Sequence, residues 1–128
     1  MAERLLIDTD VLIDYSCRLV DAAAFMRGLQ ARPVVCAVTI SELYAGVREG
    51  RERKDLDSFT ARSVIIDIDA QAAERAGLWL RQYRPSHGTG LADALIAATA
   101  EAQGARLVTL NRKHYPMLAD VLVPYAKP

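Results

Sequence analysis

The sequence predicts an α/β protein of three layers, α/β/α, with a central parallel sheet of four to five strands. Short, β-branched apolar runs alternate with longer helical patterns along the whole chain, which is typical of repeated βαβ units. Most of these runs are continuously apolar, as expected for strands buried on both faces. A length of 128 residues suits a single domain, 1–128, with one core.

The composition is that of an ordinary folded protein, with 52% hydrophobic and 25% charged residues. Sixteen basic residues balance sixteen acidic ones, so any nucleic-acid binding requires a locally basic surface. No apolar stretch approaches the roughly 18 residues of a membrane span, and the start does not resemble a signal peptide. These features predict a cytoplasmic protein. Cys17 and Cys36 are too few for a disulfide framework, and the apolar surroundings of Cys36 predict a buried free thiol.

The first predicted strand, 4–8, is an apolar run that ends at Asp8. A short helix is expected directly after it, at 9–15, because its apolar residues recur on one face. An alanine-rich pattern predicts a second helix at 19–30, which Pro33 prevents from continuing.

The second predicted strand, 34–38, is apolar and rich in β-branched residues. Thr39 and Glu42 then have the spacing of a capping box, in which Thr39 caps a helix that runs to about residue 47. Gly50 interrupts this helix, and the charged stretch 51–59 predicts a solvated helix.

The third strand is predicted at 63–68 and is followed by a helix at 70–83 and a loop at 84–88. The residues expected to face inward on that helix are Ala73, Ala76, Gly77 and Leu80. The last predicted helix, 91–103, ends at Gly104. The fourth and fifth strands are predicted at 106–110 and 121–123.

Four polar side chains stand where a predicted strand ends or a predicted helix begins. They are Asp8, Glu42, Asp93 and Asn111. Because ligands bind at the carboxyl ends of strands in open α/β sheets, these side chains are predicted to converge. Each also has a local explanation. Asp8 is a favoured helix cap, and Glu42 completes a capping box. Asp93 lies in a first helical turn, and Asn111 suits a turn.

Three carboxylates at one edge of a sheet would repel one another unless a cation lay between them. Oxygen ligands favour Mg²⁺ or Mn²⁺, and no histidine or cysteine pair stands at a ligand spacing. His87 and His114 are isolated in polar stretches and are predicted to lie at the surface. A carboxylate-bound Mg²⁺ that keeps its waters is suited to phosphodiester hydrolysis.

Four stretches resemble the motifs of PIN-domain proteins, in the family's order and across nearly the whole chain. They are LIDTDVLID (6–14), VTISELYAG (38–46), LADALIAATA (91–100) and LVTLNRKHY (107–115). Each stretch is weak by itself, whereas four in order are specific. The resemblance is greatest to the VapC-type toxins of bacterial and archaeal toxin–antitoxin pairs.

This resemblance implies a Mg²⁺-dependent ribonuclease, usually a homodimer, that is inhibited by a small antitoxin protein. By position, Asp8 and Asp93 would hold the metal, and Mn²⁺ could replace Mg²⁺. Glu42 would bind the metal directly or through water, or orient the attacking water. Asn111 stands where many relatives carry aspartate, so a second metal would bind weakly. Asp10 stands where relatives often have Asn, Ser or Thr, and a helix-stabilising role is slightly preferred for it over support of the metal site.

Two basic stretches could attract the phosphates of RNA. Arg112 and Lys113 are the preferred substrate-binding residues because they follow Asn111 directly. The run at 48–54 is the alternative, although a solvated charged face is the usual fate of such a run. The sequence shows no row of aromatic residues on which bases could stack, so it does not indicate sequence-specific readout.

Two other classes share part of this pattern. A phosphohydrolase of the haloacid dehalogenase type also opens with a strand that ends in Asp-x-Asp, as at Asp8 and Asp10, but it needs a later acidic pair that 109–112 does not supply. A receiver-type signalling domain, which is not an enzyme, would carry a phospho-acceptor such as Asp67 or Asp69 after its third strand. It would also need a lysine after its fifth strand, where this sequence has none.

Overall fold

Five short strands form one sheet in the computed structural model, which describes residues 3–127. The strands are β1 (Leu5–Ile7), β2 (Val34–Cys36), β3 (Val64–Ile66), β4 (Arg106–Val108) and β5 (Val121–Leu122). Met1, Ala2 and Pro128, which the predicted domain 1–128 includes, lie outside the described residues.

Six α-helices connect these strands within the described part of the chain. They are α1 (Thr9–Ser16), α2 (Val20–Arg27), α3 (Ala37–Gly46), α4 (Arg51–Arg62), α5 (Ala70–His87) and α6 (Leu91–Ala102). A 3₁₀ turn at Arg112–His114 follows β4. Among residues 3–127, none of the helices combines the length and the apolar character that crossing a membrane requires.

The strand order is β3-β2-β1-β4-β5, and all neighbouring strands are parallel. The chain therefore winds outward from β1 to one edge, crosses to β4 and continues to the other edge. This crossing creates a topological switch point between β1 and β4, where open sheets of this kind bind ligands. The predicted fold class, α/β with a parallel central sheet, is confirmed.

Alternate side chains of β1 point into two different cores, as the period of a strand requires. Leu6 packs with Leu107 of β4 and Ile96 of α6 on one face of the sheet. Ile7 packs with Val11 of α1 and with other residues of α4, β2 and β4 on the opposite face. Both faces of β1 are buried, so its continuously apolar sequence has a direct physical cause.

Alanines form the seam between α5 and α6. Ala72 and Ala76 of α5 cluster with Ala94 and Ala98 of α6, and small side chains there allow the two helices to approach closely. The predicted inward face of α5 was wrong in its register: Ala73 and Gly77 are exposed, Leu80 is half-buried, and only Ala76 is fully buried. The cause is a sequence so rich in small residues that it carries little contrast between the two faces.

The predicted loop at 84–88 was also wrong, because α5 continues through Pro85 and ends at His87. A proline so close to the helix end removes one backbone donor without breaking the remaining turns. The helix stops at Gly88, whose φ of 68° is the left-handed conformation that favours glycine. His87 is half-buried at the end of a helix and was wrongly predicted to lie at the surface in a loop.

The predicted capping box of Thr39 and Glu42 is not formed. Helix α3 begins two residues earlier, at Ala37, and the extended residue Cys36 precedes it. Thr39 is fully buried inside α3, and its hydroxyl oxygen lies 3.0 Å from that of Thr9 in α1. The spacing of these two residues therefore matches a capping box only by chance. Glu42 lies in the second turn of the helix rather than in the first.

The remaining differences concern the ends of elements. All five strands are shorter than predicted, α2 ends at Arg27 before Gly28, and α4 extends to Arg62. Cys36 is a buried free thiol, as predicted, and Cys17 is an exposed one.

Candidate active site

The four predicted side chains line one pocket of about 190 Å³ at the switch point of the sheet. Its lining residues are Asp8, Thr9, Asp10, Ile13, Glu42, Asp93 and Asn111. Residues separated by up to a hundred positions thus meet because the carboxyl ends of β1 and β4 are adjacent. The structure therefore brings the four residues together in one pocket, as the sequence predicted.

Asp8 stands at the centre of this pocket, between the end of β1 and the start of α1, and only 5% of it is exposed. Its Oδ1 accepts a hydrogen bond of 2.7 Å from the backbone N–H of Thr9. Its Oδ2 accepts from the hydroxyls of Thr109 and Tyr115, each at 2.8 Å. The carboxylate is therefore held rigidly by three donors, none of which carries a positive charge.

Burial, and after it the negative charge of Asp10, raises the pKa of the Asp8 carboxyl from 3.8 to about 7. Burial likewise raises the pKa of Asp10. Hydrogen bonds from Thr109, Tyr115 and the Thr9 backbone act in the opposite direction on Asp8 but do not outweigh its burial. The folded chain therefore keeps negative charge in this pocket at a free-energy cost, which a bound cation would relieve.

Replacing Thr109 with valine should lower the free energy of unfolding by about 1–3 kcal/mol, because the buried Asp8 carboxylate loses a donor. The matched control is Thr99→Val. Thr99 is equally buried, but its hydroxyl donates to the neutral carbonyl of Leu95, and its loss should cost less. Urea denaturation of both variants at pH 8 measures the difference. If both variants lost the same free energy of unfolding, the Thr109 hydroxyl would have no special role in stabilising the charged form of Asp8.

Asp10 links two parts of the site. Its Oδ1 accepts from the backbone N–H of Val11 at 2.7 Å. Its Oδ2 accepts from the backbone N–H of Leu110 at 3.0 Å and lies 3.3 Å from the hydroxyl of Thr109. Asp10 therefore stabilises the first turn of α1 and also fixes the residues that lead to Asn111.

Asp93 reaches the pocket from the first turn of α6. Its Oδ2 accepts from the backbone N–H of Gly90 at 2.8 Å, and its Oδ1 lies 3.2 Å from the hydroxyl of Tyr115. Asp8 and Asp93 each stand at the N-terminus of a helix, where the helix dipole stabilises a negative charge. The two helix N-termini thus offset part of the unfavourable energy of holding neighbouring carboxylates together.

Glu42 approaches the pocket from α3 and is exposed to solvent. Its Oε1 accepts a hydrogen bond of 2.6 Å from the hydroxyl of Thr9, the residue that follows Asp8. Glu42 therefore contacts the site from its solvent side, with its other carboxylate oxygen free to bind water.

His114 was predicted to lie at the surface and is instead half-buried beside the site. Its Nδ1 lies 2.9 Å from Nδ2 of Asn111 and 3.2 Å from Oδ2 of Asp93. One nitrogen cannot accept from Asn111 and donate to Asp93 at the same time. Nδ1 therefore hydrogen-bonds only one of these two groups, and which one depends on where the ring carries its hydrogen.

Sequence reasoning missed four residues that contact the acidic side chains: Thr9, Thr109, His114 and Tyr115. Three of them carry neutral hydroxyls, which no charge or metal-ligand pattern singles out. The available signal was position, because Thr109 directly follows a strand that pairs with β1. Tyr115 carries no such signal, since an aromatic residue at that point is equally typical of a core.

The donor set fits a hard divalent cation of the Mg²⁺ type, because every polar side-chain atom toward the pocket is a carboxylate, hydroxyl or amide group. Within residues 3–127, no three His, Cys, Asp or Glu side chains form a cluster that would enclose a metal. Mg²⁺ needs no such cage, since it usually binds through one or two carboxylates and keeps several waters.

The two basic stretches differ in how their charges are used. Arg112 and Lys113 are exposed on the 3₁₀ turn directly after Asn111. In the other run, the arginines pair with acidic residues four positions away on or next to α4: Arg48 with Glu52, Arg51 with Asp55, and Arg53 with Glu49 and Asp57. The second run is therefore largely neutralised, which favours the first as a phosphate-binding surface.

The receiver-type alternative receives no support from the geometry. Strand β3 lies at the edge of the sheet, away from β1. Asp69 caps α5 by accepting a hydrogen bond from the backbone N–H of Ala72, and Asp67 is exposed. Neither residue lines the acidic pocket.

Fold and site together define a class of protein: a doubly wound parallel α/β sheet with an acidic, oxygen-lined pocket at its switch point. Similarity to known proteins identifies the family within this class. The sequence matches the family model of the PIN domain over residues 5–117. The chain therefore belongs to the PIN-domain family, and two VapC ribonucleases to which it is 35–36% identical place it in the VapC-type branch.

Two relatives from Mycobacterium tuberculosis (strain ATCC 25618 / H37Rv) are similar over almost their full lengths. The chain is 36% identical to Ribonuclease VapC10, over 97% of this chain and 95% of that protein. It is 35% identical to Ribonuclease VapC19, over 94% of this chain and 98% of that protein.

Solved structures show the same fold. The toxin-antitoxin complex from Klebsiella pneumoniae contains a chain of 25% identity with a TM-score of 0.81, and the match covers 96% of this chain and 99% of that one. VapBC2 from Rickettsia felis, bound to a DNA fragment from their promoter, has a TM-score of 0.68 at 23% identity, covering 92% and 95%.

Proposed function

We propose that this chain is a divalent-metal-dependent endoribonuclease, the toxin of a toxin–antitoxin pair, which acts in the cytoplasm as a homodimer. The observation that carries the proposal is the meeting of Asp8 and Asp93 in one oxygen-lined pocket. The similarity to two proteins named ribonucleases supports RNA as the substrate.

Asp8 and Asp93 would hold Mg²⁺, or Mn²⁺ in its place, and Glu42 would act through a water molecule. This assignment follows from position: Asp8 and Asp93 share the Tyr115 hydroxyl, whereas Glu42 is engaged with Thr9 on the solvent side. When bound, Mg²⁺ supplies an activated water and neutralises charge on the phosphate. Glu42 then orients the attacking water from the side of the pocket that faces solvent.

Asn111 would be the fourth catalytic residue, and Arg112 and Lys113 would bind the substrate. Asn111 lines the same pocket, and its amide offers one neutral oxygen in place of the charge of a carboxylate. Arg112 and Lys113 add positive charge on an exposed turn, where they can neutralise neighbouring phosphates of an RNA strand. The chain as a whole carries no net charge and so does not attract RNA electrostatically. The positive charges of this exposed turn would therefore offset the repulsion between the acidic pocket and the phosphates of RNA.

A protein partner is part of the proposal because an unrestrained ribonuclease would damage its own host. The similar chain from Klebsiella pneumoniae comes from a toxin-antitoxin complex, and other structures of this fold are VapBC complexes. We propose that a small antitoxin covers the acidic pocket or its approach.

Expression of the chain alone in a bacterial host should arrest growth, and co-expression of the short reading frame next to its gene should relieve the arrest. RNA from arrested cells should carry discrete cuts that map to one class of RNA. Expression of Asp93→Asn at equal protein level is the control. Harmless expression of the wild-type chain would contradict the toxin proposal, and arrest without RNA cuts would contradict ribonuclease activity.

A further inference from the structure

Tyr115 is the bulkiest side chain in this structure with almost no exposure, at 1%. Its ring packs in the apolar cluster with Leu6, Ile96 and Leu107 on one face of the sheet. The ring is therefore fixed by packing, and its hydroxyl alone reaches the acidic pocket.

This hydroxyl lies between two carboxylates. It donates to Oδ2 of Asp8 at 2.8 Å and lies 3.2 Å from Oδ1 of Asp93. A buried tyrosine needs one hydrogen-bond partner, and this one has two anionic acceptors from different helix starts. Because both oxygens touch the same atom, their separation cannot exceed the sum of these two distances.

A divalent cation requires the two oxygens to lie within a narrower range than this upper limit. Mg²⁺–oxygen distances of about 2.1 Å in an octahedron place two ligand oxygens about 3–4 Å apart. Without a cation, neighbouring carboxylates repel each other, and a shared donor on a rigid ring can hold them near each other. Thr109 contacts only Asp8 of the two, so it cannot serve this purpose.

We propose that Tyr115 is a positioning residue whose hydroxyl sets the spacing between Asp8 and Asp93 for a divalent cation. The inference rests on the proposed metal site and adds a residue to it. Removing the hydroxyl leaves the ring in its apolar cluster and leaves Asp8 bound to Thr9 and Thr109. It removes the shared atom, so the two carboxylates are free to move apart.

Tyr115→Phe should weaken Mn²⁺ binding about tenfold, the lower end of the loss expected when a partner of a metal-binding carboxylate is removed. Mn²⁺ bound to the purified chain is measured by electron paramagnetic resonance, without RNA. The matched control is Tyr125→Phe, because Tyr125 also donates its hydroxyl to a carboxylate, Asp14 at 2.9 Å, outside the pocket. This control loses a comparable hydrogen bond and should bind Mn²⁺ like the wild type.

A second measurement uses the wild-type chain and does not depend on the folding of a variant. Titration with Mg²⁺ should move the side-chain ¹³C resonance of Tyr115 at Cζ, next to its hydroxyl, and leave that of Tyr125 in place. A Tyr115 resonance that stays in place while Mg²⁺ binds would overturn the inference.

The outcomes separate this inference from the proposed function. Equal Mn²⁺ affinity in Tyr115→Phe and wild type, or tighter binding by the variant, overturns the positioning role and leaves the metal site intact. Equal weakening in Tyr115→Phe and Tyr125→Phe assigns the effect to stability and also overturns it. Failure of the wild type to take up millimolar Mn²⁺ overturns both the inference and the proposed metal site.

Discussion

Replacing Asp8 with asparagine should lower the rate of Mg²⁺-dependent RNA cleavage more than about 100-fold. Loss of a residue that only supports a metal ligand typically costs 10–100-fold, and loss of a ligand itself should cost at least as much. The change keeps the size of the side chain and an oxygen that can accept from Thr109 and Tyr115, so the fold should survive. Cleavage of a labelled RNA by purified protein, with Mg²⁺ and with a chelator, measures the effect.

Asp14→Asn is the matched control for this experiment. Asp14 lies on the same helix and is also buried, but its carboxylate contacts Tyr125 and Lys127 rather than the pocket. Removing its charge should therefore leave the cleavage rate close to that of the wild type. If Asp8→Asn cleaved RNA as fast as Asp14→Asn at the same Mg²⁺ concentration, Asp8 would have no role in catalysis.

The stability of the metal-free chain should fall relative to that of Asp8→Asn as the pH rises from about 4 to about 7. Burial raises the pKa of Asp8 from 3.8 to about 7, so between these values the folded chain holds a proton that the unfolded chain has released. Raising the pH removes this proton and forces charge into the pocket. The variant has no carboxyl to titrate at this position.

Urea denaturation of both proteins at several pH values measures this difference. We expect the difference in the free energy of unfolding between Asp8→Asn and the wild type to grow by about 2–4 kcal/mol as the pH rises and then to level off above pH 7. The reason is that each tenfold change in proton affinity is worth about 1.4 kcal/mol. At pH 7.5, a value at about that plateau, millimolar Mg²⁺ should bind the wild type preferentially. It should therefore reduce the difference in the free energy of unfolding between the two proteins. A gap that stays constant from pH 4 to 7 would show that the folded environment leaves the proton affinity of Asp8 unchanged.

Most of the fold could be predicted from the sequence because its signals are local. The strand before Asp8 is apolar since both of its faces are buried, and that property is written in consecutive residues. The errors occurred where local signals conflict or are weak. The loop predicted at 84–88 is instead the end of α5, which stops at Gly88, and the alanines of α5 did not show which face is buried.

The acidic members of the candidate site could also be predicted, because carboxylates after strands and at helix starts are visible in sequence and a parallel sheet brings those ends together. Glu42 lines the pocket, but its local explanation was wrong, since the predicted capping box with Thr39 does not exist. The chemical roles of these residues remain predictions that the experiments above test.

The sequence by itself determined the class of fold, the edge of the sheet that holds the pocket and the oxygen chemistry of its lining. Only the tertiary structure decided how deeply Asp8 is buried, which hydroxyls hold it and how Tyr115 joins it to Asp93. The physical reason is range. Hydrophobic runs and caps act between near neighbours, whereas the two hydroxyls that bind Asp8 come from about a hundred residues away. The pKa of Asp8 also depends on all the groups that exclude water around it.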